Sequence, residues 1–227
     1  MTAKEICSHR LTIVTGHYGT GKTEFSVNLA LALASEGEQV MMADLDIVNP
    51  YFRSRERKAL LEDAGIRLIC SSQACSDADV PALPAEVLTI LENRDVRGVL
   101  DIGGDPVGAR VLARFRPKIL QEDYQLVYVL NANRPEVRTP ESAISYLRAI
   151  EATTGLTCGG IVNNTHLCGE TTEREIRKGA DLAERVSQET GIPVLCHVAE
   201  ERFADHLSDL RESVFPITIK MKKPWEI

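Results

Sequence analysis

Short apolar, β-branched runs alternate along this chain with longer stretches whose apolar residues recur every three or four positions. Residues 11–15, 39–43, 67–70, 98–102, 126–130, 160–163 and 194–198 read as strands. A last apolar run at 214–219 reads as an edge strand. Between them, 23–35, 54–64, 85–93, 108–115, 139–153, 171–190 and 202–210 carry the helical period. Strands that alternate with helices imply βαβ crossovers. The fold class expected is therefore α/β, a single doubly wound, mostly parallel sheet with helices on both faces. No repeat, low-complexity tract or linker interrupts the alternation, and "PALP" at 81–84 reads as a loop. Residues 1–227 are thus expected to form one domain.

Composition narrows this picture. Aromatic residues are only 5% of the chain, so the core should be aliphatic. The net charge of -7, from 26 basic and 33 acidic residues, argues against nucleic acid as a partner of the whole surface. No run approaches the ~18 apolar residues of a membrane span, and the short basic tail around 220–225 reads as solvated, so no stable membrane anchor is expected. The first residues lack the apolar core of a signal peptide, which points to the cytoplasm. Of the six cysteines none forms a C-x-x-C pair. Cys196 and His197 are adjacent in a strand and face opposite sides, so together they do not ligate one ion. His166 and Cys168 also lack the spacing of a structural metal site.

The chemistry begins at "IVTGHYGTGKTEF", where a strand breaks into a glycine-rich turn and then a helix. Gly16, Gly21, Lys22 and Thr23 fit G-x-x-x-x-G-K-S/T without a gap. Glycines let the backbone curl until successive N–H groups point inward, and the following helix N-terminus adds partial positive charge. Gly16, His17, Tyr18, Gly19, Thr20, Gly21, Lys22, Thr23 and Glu24 are the candidate cradle for a polyphosphate. Lys22 is expected at the β/γ-phosphates and Thr23 on Mg²⁺.

Carboxylates follow the next strands. Asp44 and Asp46 end the second strand in "ADLDIVNP", and Asp101 ends "GVLDI". A carboxylate buried there needs a cation or donors, which a Mg²⁺-nucleotide supplies. Turn and cap carboxylates are the plainer reading of each. Asp101 fits a Walker-B carboxylate, with Gly103 and Gly104 allowing close approach to a terminal phosphate. Asp105 before Pro106 reads as a helix cap. After later strands, "NANRP" reads as a turn, with Arg134 near the same end of the sheet. Asn163 or Asn164 in "IVNNTH" is placed to meet a base edge. The guanine-reading N-K-x-D is absent, which tilts the base toward adenine, so ATP is expected before GTP.

At these residues the chain resembles the CobQ/CobB/MinD/ParA branch of the P-loop NTPases. The likeness runs from the glycine-rich loop through "DLD", "LDIGG" and "IVNN" to "IPVLCHVAEE". It implies that Asp44 orients the attacking water, that Asp46 supports Mg²⁺, and that Asn163 or Asn164 reads adenine, with 198–200 lining the base. Two departures stand out. The family's early loop lysine, which reaches a partner's phosphates across a nucleotide-sandwiched dimer, is His17 here. The family's "IP" before the last helix reads "HVA" here.

Together these readings predict a Mg²⁺-dependent nucleotide-binding protein and slow ATPase, with Lys22 and Asp44 catalytic and Thr23, Asp46 and Asp101 at the metal. Such a protein is expected to act as a nucleotide switch or an assembly or maturation factor for a protein client, or with a second copy of itself. The alternatives are an ATP-dependent small-molecule ligase or kinase of the dethiobiotin-synthetase type, a metallochaperone GTPase, and a module that only holds nucleotide.

Overall fold

The computed structural model describes residues 2–46, 57–70 and 86–221. Arg53, Arg55, Cys75, the loop at 81–84, part of the helix expected at 54–64 and most of the basic tail lie outside them. A short helix α1 (Ala3–Ile6) precedes strand β1 (Leu11–Thr15). There follow α2 (Lys22–Ser35), β2 (Val40–Leu45), α3 (Lys58–Asp63), β3 (Arg67–Cys70), α4 (Val87–Glu92) and β4 (Arg97–Ile102). The second half adds α5 (Pro106–Ala113), α6 (Arg116–Ile119), β5 (Tyr124–Leu130), α7 (Pro140–Thr154), β6 (Cys158–Asn163), α8 (Glu173–Thr190), β7 (Val194–Glu200) and β8 (Val214–Ile217).

The strands join in one sheet of order β3-β2-β4-β1-β5-β6-β7-β8. Every neighbouring pair is parallel, the edge strand β8 included. Because side chains alternate along a strand, each strand feeds two cores. Leu11 and Ile13 of β1 pack with Leu100, Tyr128, Leu147 of α7 and Val186 of α8 on one face. Val14 packs with Val99, Val127 and Phe25, Leu29 and Leu33 of α2 on the other. Full burial of a side chain such as Phe25 contributes about 2–3 kcal/mol. Both faces are therefore covered by helices, and ligands are left the edge formed by the carboxyl ends of the strands. Among the described residues no helix is long and apolar enough to cross a membrane.

Helix α6 lies beyond the helix expected at 108–115, and two other elements depart from the periodic reading. The helix expected at 202–210 is two 3₁₀ turns, Glu201–Phe203 and Asp205–Leu207. Phe203, Leu207 and Leu210 still pack together against Ile176 and Ala199. Their spacing is met by turns as well as by a helix, and only the packing distinguishes the two. Helix α1 is too short to show a period. Thr2 and Glu5 form its capping box, and Glu36 accepts from the amides of Ala3 at 2.6 Å and Lys4 at 3.2 Å.

Candidate functional site

The chain leaves β1 at the middle of the sheet and enters α2 through Gly16–Gly21. Gly19 (φ 74°) and Gly21 (φ 81°) adopt the left-handed region, where a side chain is strained. Gly21 stands at the helix N-cap with no side chain to bond the first amides. The carbonyls of the loop are held from outside. Arg134 Nε donates to Gly19 O at 2.7 Å. Asn164 Nδ2 donates to Thr20 O at 2.8 Å and Gly21 O at 3.3 Å. The Thr20 hydroxyl donates to His17 O at 2.8 Å. In a trans peptide the N–H points opposite to the carbonyl, so anchored carbonyls turn amides inward. Among the described residues the amides of Gly21, Lys22 and Thr23 have no hydrogen-bond partner. They are the orphan donors of a helix start, aimed where an anion belongs.

On the β4 side of the loop lie the acids. Asp44 and Asp101 are register partners on β2 and β4, side by side on one face. Asp101 is 1% exposed, and neither of its oxygens meets a donor at hydrogen-bond geometry among the described residues. Burial first, then the Asp44 charge, pushes its carboxyl up to about 7, although Lys22 and the nearby Thr23 hydroxyl pull it down. Asp46 is also buried, and its amide donates to Asp44 Oδ1 at 3.3 Å. Lys22 is buried too, which lowers its pKa, while Asp101, Asp46 and Asp105 raise it in return. Its Nζ donates to His17 O at 3.3 Å. A Cβ on Gly104 would stand 2.9 Å from the backbone at Gly16 O and Tyr18 N and 2.6 Å from that Nζ, so only glycine lets the β4 loop close on the glycine-rich loop. As the sequence suggests, Asp105 is a cap; it accepts from Gly108 N at 2.6 Å.

This donor set fits a Mg²⁺-nucleotide. Asp101 is an orphaned buried carboxylate beside Thr23, and uncommitted amides face the loop's hollow. Among the described residues no three His, Cys, Asp or Glu side chains cage an ion by themselves. A cation here therefore needs oxygens beyond the protein's own, as from phosphates and water.

The other expected residues have separate fates. Asn163 is fully buried, donates to Ile176 O at 3.0 Å, and accepts from Thr165 N at 3.1 Å. Its amide is thus engaged within the fold, and Asn164 is the one of the pair that touches the loop. The Glu24 carboxylate turns to the C-terminal segment, accepting from Lys220 N at 2.7 Å and Met221 N at 3.0 Å. His17 donates from Nδ1 to Tyr18 O at 2.9 Å, and its ring meets the edge of Tyr146 at 4.9 Å between centroids. Tyr18 itself is 55% exposed. Residues 198–200, which the family pattern puts at the base, are the end of β7, with Val198 in the second core. Cys196 packs in that core while His197 faces Glu212 at 3.3 Å on the opposite side.

Sequence reasoning missed three neighbours of the loop. Tyr146 of α7 donates to Gly104 O. His166 is half-buried beside Gly21, with its Nε2 shielded from solvent, and Glu136 stands 4.0 Å from His17. Each follows a strand end or lies on a helix facing that end, a signal too general to single them out.

Residues 11–209 match the family described as the CobQ/CobB/MinD/ParA nucleotide binding domain. The chain belongs to this family. Its members are P-loop NTPases, so nucleotide and Mg²⁺ binding are the family's general properties. No curated relative matches the sequence. Among solved structures it is similar to the signal recognition particle 54 kDa protein from Aeropyrum pernix K1 in complex with GDP (21% identity, TM-score 0.52). That likeness covers 82% of this chain and 40% of the other. It is also similar to the cell division protein FtsY from Thermotoga maritima (22%, TM-score 0.54, 81% and 59%). A third likeness is to chloroplast FtsY from Physcomitrella patens (16%, TM-score 0.55, 81% and 56%). The chain thus spans between two fifths and three fifths of these proteins, and the likeness is one of fold.

Proposed function

We propose that this family member binds a nucleoside triphosphate with Mg²⁺, hydrolyses it slowly, and serves as a switch read by a protein client or a second copy. The observation that carries this is the run of amides at Gly21, Lys22 and Thr23 without a partner among the described residues, at the start of the helix that bears buried Lys22, whose charge acts on buried Asp101. The absence of N-K-x-D favours ATP over GTP.

When bound, Mg²⁺ supplies charge neutralisation of the phosphates. The chain's own part is positional. The amides and the α2 N-terminus hold the phosphate oxygens, and Lys22 offsets charge that grows on the β/γ bridge during transfer to water. Thr23 offers its hydroxyl to the ion, with Asp46 and Asp101 as carboxylates beside it. Asp44 orients the attacking water. Among the described residues Lys22 is the cation whose charge acts on Asp101, and turnover is expected to be slow.

The test is a titration of the purified protein with ATP and with GTP, with and without Mg²⁺, scored for binding and phosphate release. Mg²⁺-dependent binding with slow release of phosphate supports the reading. Retention of nucleotide with no release reduces the protein to a binding module, and binding of neither nucleotide removes the reading.

A further inference from the structure

Arg134 lies where the sequence left its role open. It follows β5 in a turn fixed by several bonds: its amide donates to Asn131 O at 3.0 Å, and Asn131 Oδ1 accepts from Asn133 N at 2.9 Å. From there its Nε reaches Gly19 O at 2.7 Å. The guanidinium packs against Gly19. A Cβ at that position would come 2.7 Å from its central carbon and 2.9 Å from a terminal nitrogen. Gly19 is thus needed twice, for its φ of 74° and for the room Arg134 takes. Among the described residues no carboxylate pairs with Arg134, and its terminal nitrogens have no hydrogen-bond partner. The nearby Glu136 turns instead to His17.

The sheet order says which part of a nucleotide meets it. Asp101 and Asp44 lie near the carboxyl ends of β4 and β2, on one side of β1, and the Lys22 charge acts on Asp101. The terminal phosphate and its ion belong on that side. Arg134 follows β5 on the other side of β1, with Asn164 after β6 next to it. A triphosphate held at the end of β1 with its tail toward β4 extends its nucleoside toward β5.

We propose that Arg134 is a nucleotide-contacting residue: anchored through Nε on Gly19 O, it presents its two terminal NH₂ groups to the α-phosphate and ribose half of the ligand. This rests on the nucleotide-binding reading above. The contact is made by the half that diphosphate and triphosphate share, and it is a contact of charge with charge.

The experiment titrates wild type, Arg134→Gln and Arg134→Lys with MgATP, MgADP, MgGTP and MgGDP across a range of salt. Gln removes the charge but keeps a donor for Gly19 O, and melting temperatures check that each variant is folded. The expected result is a loss of about tenfold or more in Arg134→Gln, equal for di- and triphosphate, since charged hydrogen bonds are the strong ones. Affinity should also depend less on salt in this variant, with Arg134→Lys intermediate. Unchanged affinity overturns the inference, as does a loss confined to the triphosphates. A loss with wild-type salt dependence assigns Arg134 to bracing the loop and overturns it too. Failure of the wild type to bind any of the four removes the underlying reading.

Discussion

Asp44 and Asp101 sit opposite each other on neighbouring parallel strands, two buried acids sharing one face at the carboxyl edge of the sheet. Like charges this close raise each other's energy, and the Lys22 charge does not fully relieve Asp101, whose carboxyl is still pushed up to about 7. A fold that keeps such a pair is destabilised where it stands and gains most when positive charge arrives.

Replacing Asp101 by Asn should therefore stabilise the free protein while weakening its response to Mg²⁺. At pH 8 the gain is expected to be on the order of 1–2 kcal/mol, moderated because Lys22 loses a neighbour. Denaturant melts of both proteins, with and without Mg²⁺ and nucleotide, check this. A variant less stable than wild type without ligand, or equally responsive to Mg²⁺, speaks against a cation site at Asp101.

The two asparagines should behave differently. Asn164→Ala removes the donor to Thr20 O and Gly21 O, so the loop loosens and nucleotide affinity falls by roughly tenfold at a cost of about 1 kcal/mol in stability. Asn163→Ala breaks buried bonds to Ile176 O and Thr165 N, costing about 2–3 kcal/mol with little change in ATP-over-GTP preference. Paired melts and titrations separate them, and a base-preference change in Asn163→Ala would return that residue to the ligand.

His166 sets an acid limb of stability. Burial, with Arg134 adding its charge, lowers its pKa from 6.5 to about 4. The unfolded chain thus takes up a proton between about pH 6.5 and 4 that the folded chain refuses. The contribution is fully present above pH 6.5 and is lost as pH falls toward 4, to at most about 3 kcal/mol. His197, also lowered by burial, acts in the same direction. Urea melts from pH 4 to 8 should show His166→Gln falling less steeply than wild type. Parallel curves would mean that His166 is not held neutral.

Gly19→Ala should lower both stability and nucleotide affinity. It strains a left-handed residue by about 1–2 kcal/mol and displaces the Arg134 guanidinium. Because displacing Arg134 and removing its charge forfeit the same contact, Arg134→Gln should add little to the affinity loss of Gly19→Ala; fully additive losses would show that the displaced guanidinium is not what weakens binding.

Strand positions were legible because β-branched runs such as LTIVT and QLVYVL are buried on both faces and read as continuous apolar segments. The glycine-rich loop and Asp105 were legible because each needs particular residue types at fixed offsets. What stayed hidden depends on contacts between distant segments. That Asn164 rather than Asn163 holds the loop follows from which residue ends β6 and which lies beyond it. The turn of Glu24 toward Lys220 and Met221, 196 and 197 residues away, has no local signal. The 3₁₀ turns at 201–207 share their apolar spacing with a helix, so periodicity could not separate them.

The most direct test of the phosphate cradle is MgATP and MgGTP binding by the wild type beside Lys22→Ala, measured by calorimetry. At least one nucleotide should bind the wild type only weakly without Mg²⁺, and Lys22→Ala should lose about a hundredfold in affinity while keeping its fold. Equal binding by the two proteins, or no binding by either, would contradict the account.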